Sequence, residues 1–388
     1  AAQDLFGDLL KERAETGRIY IMNLDHCNSH SSFKDKVSMS NLCQEITLPT
    51  TPIQDIHDDQ GEIALCILSA VNVGGLNDLS ELEGICDLAV RALEQIIDYQ
   101  DYPVKAAEVS TKRRRSLGIG YIGLAHYLAK HGVKYSDPKA WDLVDRLSEA
   151  FQYNLLRASC NIAMEKGKCE GFDRTKYADG QLPIDHYKKD VDKIVPHKQR
   201  MAWESLRKDI AKHGLRHSTL SAQMPSESSS VVSNETNGIE PPRALLSIKK
   251  SKKGPLKQIA PGFPKLKNDY TLLWDMPSNE GYINVVAMMQ KYFDQAISGN
   301  WSYNPTHFDN NEVPLSVMAQ DMLTAYKLGW KTSYYQNTYD FKGDDEDIQP
   351  AGLSAVTDTD DGEDVELPEN LISTVADIDG EDCDACTI

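Results

Sequence analysis

The residue types best suited to chemistry lie together in one short segment, residues 40–46. If this segment is extended, successive side chains point to opposite faces, so Asn41, Cys43 and Glu45 share one face. The opposite face carries Leu42, Gln44 and Ile46. Pro49 follows closely and bars a long regular strand, so we expect a short strand or a loop tip here.

A thiol beside a carboxylate is unusual for an ordinary cysteine nucleophile. The negative charge of Glu45 would raise the pKa of the Cys43 thiol and disfavour the thiolate, whereas a neighbouring histidine would favour it. If Cys43 reacts, we therefore expect chemistry that does not need a thiolate. A loop cysteine with an incidental acidic neighbour remains the alternative from spacing alone.

Length and composition indicate a folded chain rather than a membrane protein. The 388 residues suffice for a large core and for two domains, and no apolar run is long enough to span a bilayer. The first residues show neither a signal peptide nor a starting Met, so we expect a trimmed, processed or divided chain. Eight cysteines in a chain of this size do not indicate a disulfide framework, which predicts a reducing, cytoplasmic setting.

The net charge of −18 is concentrated at one end of the chain. From Asp344 to Ile388 there are 16 Asp and Glu residues and no Lys or Arg, which leaves a nearly neutral body. The two basic runs of the body, residues 112–115 and 249–253, are short, and we expect them to be solvated loops. Charge therefore gives no reason to expect nucleic-acid binding.

The hydrophobic pattern predicts an α/β body. Residues 5–10 have helical spacing before a glycine, and residues 18–23 read as a strand. Residues 61–70 are apolar on both faces, which predicts a central strand with Cys66 as a small core residue. Residues 82–96 carry a helical stripe. Further helices are expected at 141–164 and around residues 285–289 and 317–323.

A glycine run at residues 118–123 matches the spacing of a dinucleotide-binding loop. That loop needs a hydrophobic strand before the first glycine, but residues 110–116 are polar and basic. Close helix packing is the better explanation of the glycines, and NAD binding is the alternative.

Three other groups of residues have more than one interpretation. His26, Cys27 and His30 lie close together, but no second Cys/His pair at ligand spacing completes a zinc site, so we expect no metal. The serine-rich residues 224–232 suit a helix N-terminus, which either binds a phosphate or is simply capped. Residues 331–337 read as a short strand containing two tyrosines, whose side chains would then point to opposite faces.

The acidic tail, residues 342–388, is expected to be disordered because it has high charge of one sign and few aromatic residues. Cys383 and Cys386 lie near its end, where no core is available for packing. A mobile dithiol that exchanges disulfides with another site is the best interpretation of this pair.

Several segments, taken together, resemble the large (α) subunit of class I ribonucleotide reductase. They are residues 16–20 (TGRIY), 41–46 (NLCQEI), 61–66 (GEIALC), 224–230 (MPSESSS), 237–243 (NGIEPPR), 323–327 (LTAYK) and 334–338 (YYQNT). Their order along the chain is far more specific than any single segment.

The resemblance implies a radical mechanism. Cys43 would carry a transient thiyl radical that removes the ribose 3′ hydrogen, which fits a thiol that is not a thiolate. Glu45 would accept the proton of the 3′-hydroxyl, and Asn41 would orient the sugar. Cys66 would be one of two cysteines that reduce the 2′ carbon and become a disulfide.

The resemblance also implies further binding and redox sites. The substrate would contact Asn41, Leu42, Cys43, Gln44, Glu45, Pro225, Ser226, Glu227, Ser228 and Ser229, with its diphosphate at the helix end. Tyr334 and Tyr335 would relay the radical to Cys43 from a small β subunit with a dinuclear metal centre. Cys383 and Cys386 would reduce the active-site disulfide and be recharged by thioredoxin or glutaredoxin.

The implied fold is a ten-stranded α/β barrel of two halves, with the radical cysteine on a central finger loop. Residues 1–341 would supply the finger loop and the C-terminal half, and residues 342–388 the tail. A separate N-terminal fragment of the α subunit would supply the second redox cysteine and the nucleotide effector sites, so no cofactor is expected on this chain. The complex would reduce ribonucleoside diphosphates for DNA synthesis. A catalytically inactive partner-binding or regulatory fragment of the same subunit is the alternative.

Overall fold

The computed structural model describes residues 2–251 and 254–339. The helices in this part of the chain are α1 (Ala2–Thr16), α2 (Leu24–Ser29), α3 (Leu82–Tyr99), α4 (Lys105–Arg114), α5 (Leu124–Lys130), α6 (Pro138–Lys166), α7 (Pro183–His186), α8 (Trp203–His213), α9 (Glu227–Val232), α10 (Glu280–Gln290) and α11 (Leu315–Lys327). The strands are β1 (Ile21–Met22), β2 (Leu68–Asn72), β3 (Gly118–Ile122), β4 (Leu246–Ser251), β5 (Gly254–Ile259), β6 (Trp301–Tyr303), β7 (Thr332–Ser333) and β8 (Gln336–Thr338). The predicted domain boundary after residue 341, the acidic tail and its two cysteines lie outside the described residues.

The sheet at the centre of the fold is built outward from one parallel pair, β2 and β3. A parallel bridge from Ile119 to Ser221 joins β3 to residues 219–223, and a second, from that segment to Ile297, joins it to residues 295–298. Helices α3 and α4 form the crossover between β2 and β3, as a parallel pair requires. Strand, helix and strand therefore alternate, which confirms the α/β class.

The last strands continue this arrangement and join it to the start of the chain. β6 pairs in parallel with β8, and the N–H of Tyr334 donates to the carbonyl of Gly299 at 2.9 Å. β7 pairs antiparallel with β1. The described residues do not form a closed barrel, so the ten-stranded barrel and this chain's share of it stay predictions.

The longest helix, α6, supports the sheet from one side. Pro138 occupies its first turn and Gly167 follows its last residue, the positions that these residue types favour. α3 and α10 pack against it, and the central turns of α6 are buried. The helices predicted at residues 82–96 and 141–164 are confirmed.

The predicted central strand at residues 61–70 is wrong in position. β2 begins only at Leu68, and Cys66 is exposed rather than buried in a core. The preceding residues run beside α4 instead, where the N–H of Ile63 donates to the carbonyl of Ala106 at 3.4 Å. An apolar run can cover a neighbouring helix as well as a sheet, and the periodicity does not distinguish the two.

The glycine run does not pack against a helix, as the sequence had suggested, but forms the fully buried β3. A Cβ atom on Gly118 would lie 2.7 Å from the side chain of Leu68, and one on Gly120 would lie 2.7 Å from the carbonyl oxygen of Ala222. The glycines therefore allow the neighbouring strands to approach closely. Gly123, with a φ of 82°, lies after the strand in the turn that begins α5. A Cβ atom there would lie 2.7 Å from the side chain of Glu235, so an acidic side chain covers this turn, which disfavours a phosphate.

The first basic run is not a solvated loop. It ends α4, and its last two residues, Arg114 and Arg115, are buried and paired with carboxylates. Arg114 donates to Glu62 at 3.0 and 2.9 Å, and Arg115 donates to Glu94 at 2.7 Å. In the second run, residues 249–251 belong to β4.

No helix in the described residues is long and apolar enough to cross a membrane.

Candidate active site

The segment with Cys43 forms a tight loop and not an extended strand. Gln44 has a positive φ of 69°, and its N–H donates to the carbonyl of Asn41 at 3.2 Å. The side chain of Asn41 closes the loop, because its Oδ1 accepts from the N–H of Ile46 at 3.1 Å. The expectation of alternating faces is therefore wrong, while the expectation of a loop tip is confirmed.

The loop nevertheless brings the predicted chemical groups together. Asn41 Nδ2 lies 3.5 Å from Cys66 Sγ, and the Asn41 side chain also hydrogen-bonds to Glu45. Cys43 is close enough to Cys66 for a thiolate on one to disfavour a thiolate on the other. An amide, a carboxylate and two thiols therefore meet at one point.

Glu45 is almost completely buried, with 1% of its surface exposed. Burial raises the pKa of its carboxyl above the ordinary value, although hydrogen bonds from Asn41 and Ser298 oppose that rise. A buried carboxylate with a raised pKa is a better proton acceptor than a solvated one. This is the environment that a general base needs.

Ser298 joins Glu45 to the main chain of Cys43. Its Oγ donates a short hydrogen bond to the carbonyl of Cys43 and lies 3.2 Å from Glu45 Oε2. The N–H of Ala296 also donates to the carbonyl of Glu45 at 3.0 Å. The segment 295–298 therefore holds the Cys43 loop in place through both its main chain and a side chain.

Cys66 is exposed on one side and crowded by the loop on the other. Partial burial, followed by the negative charge of Glu45, raises the pKa of the Cys66 thiol to about 11. At neutral pH this thiol keeps its proton. A protonated thiol suits hydrogen-atom chemistry better than thiolate attack.

The two tyrosines share one site, contrary to the expectation for neighbours in a strand. They lie between β7 and β8, outside both ladders, and their ring centroids are 4.3 Å apart. Tyr334 is buried, and its pKa is raised by burial and by a hydrogen bond with the Cys43 side chain. The phenol of Tyr334 therefore contacts the thiol, and Tyr335 contacts Tyr334.

The predicted helix N-terminus is present as the start of α9. Ser226 is buried, and its Oγ donates inward to the carbonyl of Met224 at 3.0 Å, while Pro225, Glu227, Ser228 and Ser229 are exposed. The first N–H groups of a helix point beyond its end and are available to a ligand. This end is linked to Glu45, because the N–H of Ser298 donates to the carbonyl of Gln223 at 2.9 Å.

The group at residues 26–30 does not converge on one point. His26 Nδ1 lies 2.9 Å from the carbonyl of Trp330, and His30 Nδ1 lies 3.0 Å from His186 Nδ1. Within residues 2–251 and 254–339, no three His, Cys, Asp or Glu side chains are arranged to hold a metal ion.

Sequence reasoning missed two residues of this site, Ser298 and Tyr20. The ring of Tyr20 lies 4.8 Å from that of Tyr334 and 5.2 Å from that of Tyr335. Ser298 is 255 residues from Cys43 along the chain. Tyr20 ends the segment 16–20 that carries the resemblance, but the motif alone did not indicate a role for it. No local pattern marks Ser298, which reaches the loop through the pairing of distant segments.

The family model and the related proteins that match this chain all indicate one family. A model described as the barrel domain of ribonucleotide reductase matches residues 1–336. Ribonucleoside-diphosphate reductase subunit alpha of Haemophilus influenzae is 56% identical over 342 residues, which are 87% of this chain and 45% of that protein. Ribonucleoside-diphosphate reductase 1 subunit alpha of Escherichia coli K12 is 54% identical over 349 residues, 89% of this chain and 46% of that protein.

A more distant relative, ribonucleoside-diphosphate reductase subunit alpha of Enterobacteria phage T4, is 41% identical over 352 residues, 89% of this chain and 46% of that protein. The chain thus spans slightly less than half the length of these relatives. The family model nevertheless covers most of the chain, including the Cys43 loop and the tyrosine pair. The chain belongs to the ribonucleotide reductase family, and residues 1–336 match its barrel domain.

Proposed function

We propose that this chain carries the radical-bearing part of a ribonucleoside-diphosphate reductase, the activity named for its relatives. One observation carries the proposal: the Cys43 thiol lies between the Cys66 thiol and the phenol of Tyr334, beside the buried carboxyl of Glu45. A hydrolase or a thiolate enzyme has no use for a tyrosine pair that leads to a thiol.

In the proposed reaction, Cys43 gives a hydrogen atom to the Tyr334 radical and becomes a thiyl radical. The thiyl radical takes the 3′ hydrogen of the ribose, so that the S–H bond re-forms and the radical moves to the sugar. Glu45 accepts the proton of the 3′-hydroxyl, and the 2′-hydroxyl takes a proton from one of the two redox thiols and leaves as water. These thiols, Cys66 and a second one, then give a hydrogen atom to the 2′ carbon and one electron to the sugar, and they become a disulfide. Glu45 returns its proton to the 3′ oxygen, and Cys43 returns a hydrogen atom to the 3′ carbon, which re-forms the thiyl radical.

We propose that the substrate diphosphate binds at the start of α9. The exposed residues there are small or acidic, and the buried Ser226 hydroxyl is occupied by Met224. The contribution to phosphate binding would therefore come from main-chain N–H groups and the hydroxyl of Ser228. The Ser229 hydroxyl, which donates to the carbonyl of Ser226 at 3.2 Å, would have to exchange that bond for the phosphate. Asn41 would orient the ribose from the opposite side.

The proposed activity needs partners. Cys66 requires a second redox thiol besides the radical-bearing Cys43, and we assign that thiol, with the nucleotide effector sites, to an N-terminal polypeptide of the α subunit. A small β subunit with a dinuclear metal centre would generate the radical. Thioredoxin or glutaredoxin would recharge the tail dithiol Cys383 and Cys386. None of the six described cysteines forms a disulfide, which supports a reducing, cytoplasmic setting.

The experiment is reconstitution of turnover with a matched pair of cysteine variants. The full chain is mixed with an N-terminal α polypeptide and the β subunit of a close relative, a dithiol and a ribonucleoside diphosphate, and deoxyribonucleotide is measured. Cys43→Ser should abolish product while substrate still binds. Cys160→Ala, a buried cysteine of α6 away from the site, should retain most activity.

Two outcomes would contradict the proposal. Substantial turnover by Cys43→Ser would remove the radical role, and turnover by the chain with β subunit and dithiol alone would remove the need for an N-terminal polypeptide. Stable binding of the partners without any turnover would instead favour the inactive, partner-binding alternative.

A further inference from the structure

The register of β1 against β7 places a third tyrosine, Tyr20, beside Tyr334 and Tyr335. Ile21 pairs with Ser333 and Met22 with Thr332 in an antiparallel ladder. Continued by one residue, this register puts Tyr20 directly opposite Tyr334. Side chains at directly opposed positions of an antiparallel pair are close neighbours.

The three rings form one cluster. Tyr20 lies 4.8 Å from Tyr334 at 46° and 5.2 Å from Tyr335 at 82°, the tilted and edge-on arrangements that aromatic pairs prefer. The pKa of Tyr20 is raised to about 12, first by burial and then by a hydrogen bond with Tyr335, while a hydrogen bond with Tyr334 opposes the rise. Tyr20 thus contacts both members of the pair at once.

The backbone before Tyr20 is held firmly at this position. Gln336 N–H donates to the carbonyl of Gly17 at 3.0 Å, and a Cβ on Gly17 would lie 2.8 Å from the Gln336 carbonyl oxygen. Arg13, which is fully buried, donates to the carbonyl of Ile19. Hydrogen bonds on both sides therefore fix the segment from which Tyr20 projects, and the tyrosine is not a mobile neighbour.

We propose that Tyr20 is a positioning residue of the radical pathway, whose hydroxyl bridges those of Tyr334 and Tyr335 and holds the two phenols for hydrogen-atom transfer. This rests on the proposed function. In the step concerned, the O–H bond of Tyr334 breaks and an O–H bond forms on the Tyr335 phenoxyl radical. One proton and one electron move together, so Tyr334 is oxidised and Tyr335 is reduced. Tyr20 keeps its own proton and acts as a hydrogen-bond donor to the radical oxygen.

A phenoxyl oxygen accepts hydrogen bonds but no longer donates one, so the partner that faces it must be a donor. The main chain near the pair does not supply it, because the N–H of Tyr334 is bonded to Gly299 and that of Tyr335 to Asn300 Oδ1 at 3.2 Å. A phenol at position 20 supplies a donor, and because its pKa is raised to about 12, mainly by burial, it keeps its own proton at neutral pH.

The first test compares three variants of the full chain in the reconstituted complex. Tyr20→Phe removes the hydroxyl and keeps the ring, and Tyr20→Leu removes both. The control is Tyr303→Phe, a buried tyrosine of β6 whose hydroxyl bonds Asp321 at 3.1 Å instead. We expect turnover to fall at least tenfold in both Tyr20 variants and to change less than twofold in Tyr303→Phe, with all melting temperatures similar.

The second test reads the hydrogen bond directly and does not depend on turnover. Tyr335→3-aminotyrosine is introduced into the free chain and oxidised with a photo-oxidant, and the couplings of exchangeable protons to the radical are measured by electron–nuclear double resonance. Adding Tyr20→Phe should remove one exchangeable coupling, and adding Tyr303→Phe should leave all of them unchanged.

The two tests separate the bridge from the proposed function. An unchanged coupling in the Tyr20→Phe chain overturns the bridge, whatever happens to turnover, and so does unchanged turnover in an active complex. Loss of the coupling in the free chain, together with a wild-type complex that makes no deoxyribonucleotide, overturns the proposed function and leaves the bridge supported.

Discussion

Ser298→Ala tests whether Glu45 is the base, because this serine links the carboxyl to the loop that carries Cys43. The Ser298 hydroxyl has one proton, yet it contacts both the Cys43 carbonyl and Glu45 Oε2. When Glu45 is ionised, the two acceptors share that proton. When Glu45 is protonated, it can donate to Ser298, which then donates to Cys43.

The direction in which the pKa of Glu45 should change depends on whether the serine favours its ionised or its protonated form. A donor favours the charged carboxylate, so its removal raises the pKa of Glu45 further, in addition to the rise that burial already causes. A hydrogen bond to a charged group contributes about 1.5–3 kcal/mol, and a contact of 3.2 Å lies at the weak end. Since about 1.4 kcal/mol corresponds to one pKa unit, we expect a rise of about one unit.

The measurement is the pH dependence of turnover in the reconstituted complex. If Glu45 must be ionised, the acid limb of the curve of turnover against pH moves about one unit toward higher pH in Ser298→Ala. The curves of the variant and the wild type meet again at high pH. Ser302→Ala is the control, because the buried Ser302 hydroxyl has no hydrogen-bond partner among the described residues. An acid limb that stays in place, or that moves to lower pH, would refute the assignment of Glu45 as a base that Ser298 keeps ionised.

Three further predictions follow from single features. Replacing Cys383 and Cys386 by serine should spare turnover with a small dithiol and abolish it with thioredoxin, and equal loss with both reductants would exclude the shuttle. Gly120→Ala should lower the free energy of unfolding by about 2 kcal/mol in urea titration, because its Cβ would lie 2.7 Å from the Ala222 carbonyl oxygen. An unchanged midpoint would show that β3 can shift to accommodate the methyl group. Glu45→Gln should stabilise the chain at neutral pH. The pKa of Glu45 is raised in the folded state, so between about pH 4.5 and that raised pKa the folded chain holds a proton that the unfolded chain has lost, and wild-type stability falls as the pH rises through this range. A melting temperature at pH 7 below that of wild type would contradict this.

The long helices could be predicted from sequence because their signal is local. The stripe that forms α3 repeats within one element, and Pro138 and Gly167 mark the ends of α6. The strands could be predicted only in part. The strand expected at residues 18–23 contains β1 and the run at 331–337 contains β7, whereas β3 was not expected. The strands are two to six residues long, and β3 is buried on both faces, so it shows no alternation of polar and apolar residues.

The candidate site, too, could be predicted from the sequence only in part. Cys43, Glu45 and Cys66 were identified through a resemblance of motifs, and they do meet. Their relative orientation was mispredicted, because a single residue with positive φ, Gln44, turns the loop and cancels the alternation of faces. Ser298 reaches the loop only through strand order, which no short window of sequence contains.

The pairing of β1 with β7 has a consequence for how the chain folds. Near this pairing, the side chain of Asn23 donates to the carbonyl of Trp330, 307 residues away. Contacts of such separation close a very long loop and form late, after the local helices. The thiol on the early loop therefore meets its phenol only when almost the whole chain is in place. Under the proposed function, a nascent or partly folded chain would have the sulfur but no route by which an unpaired electron could reach it.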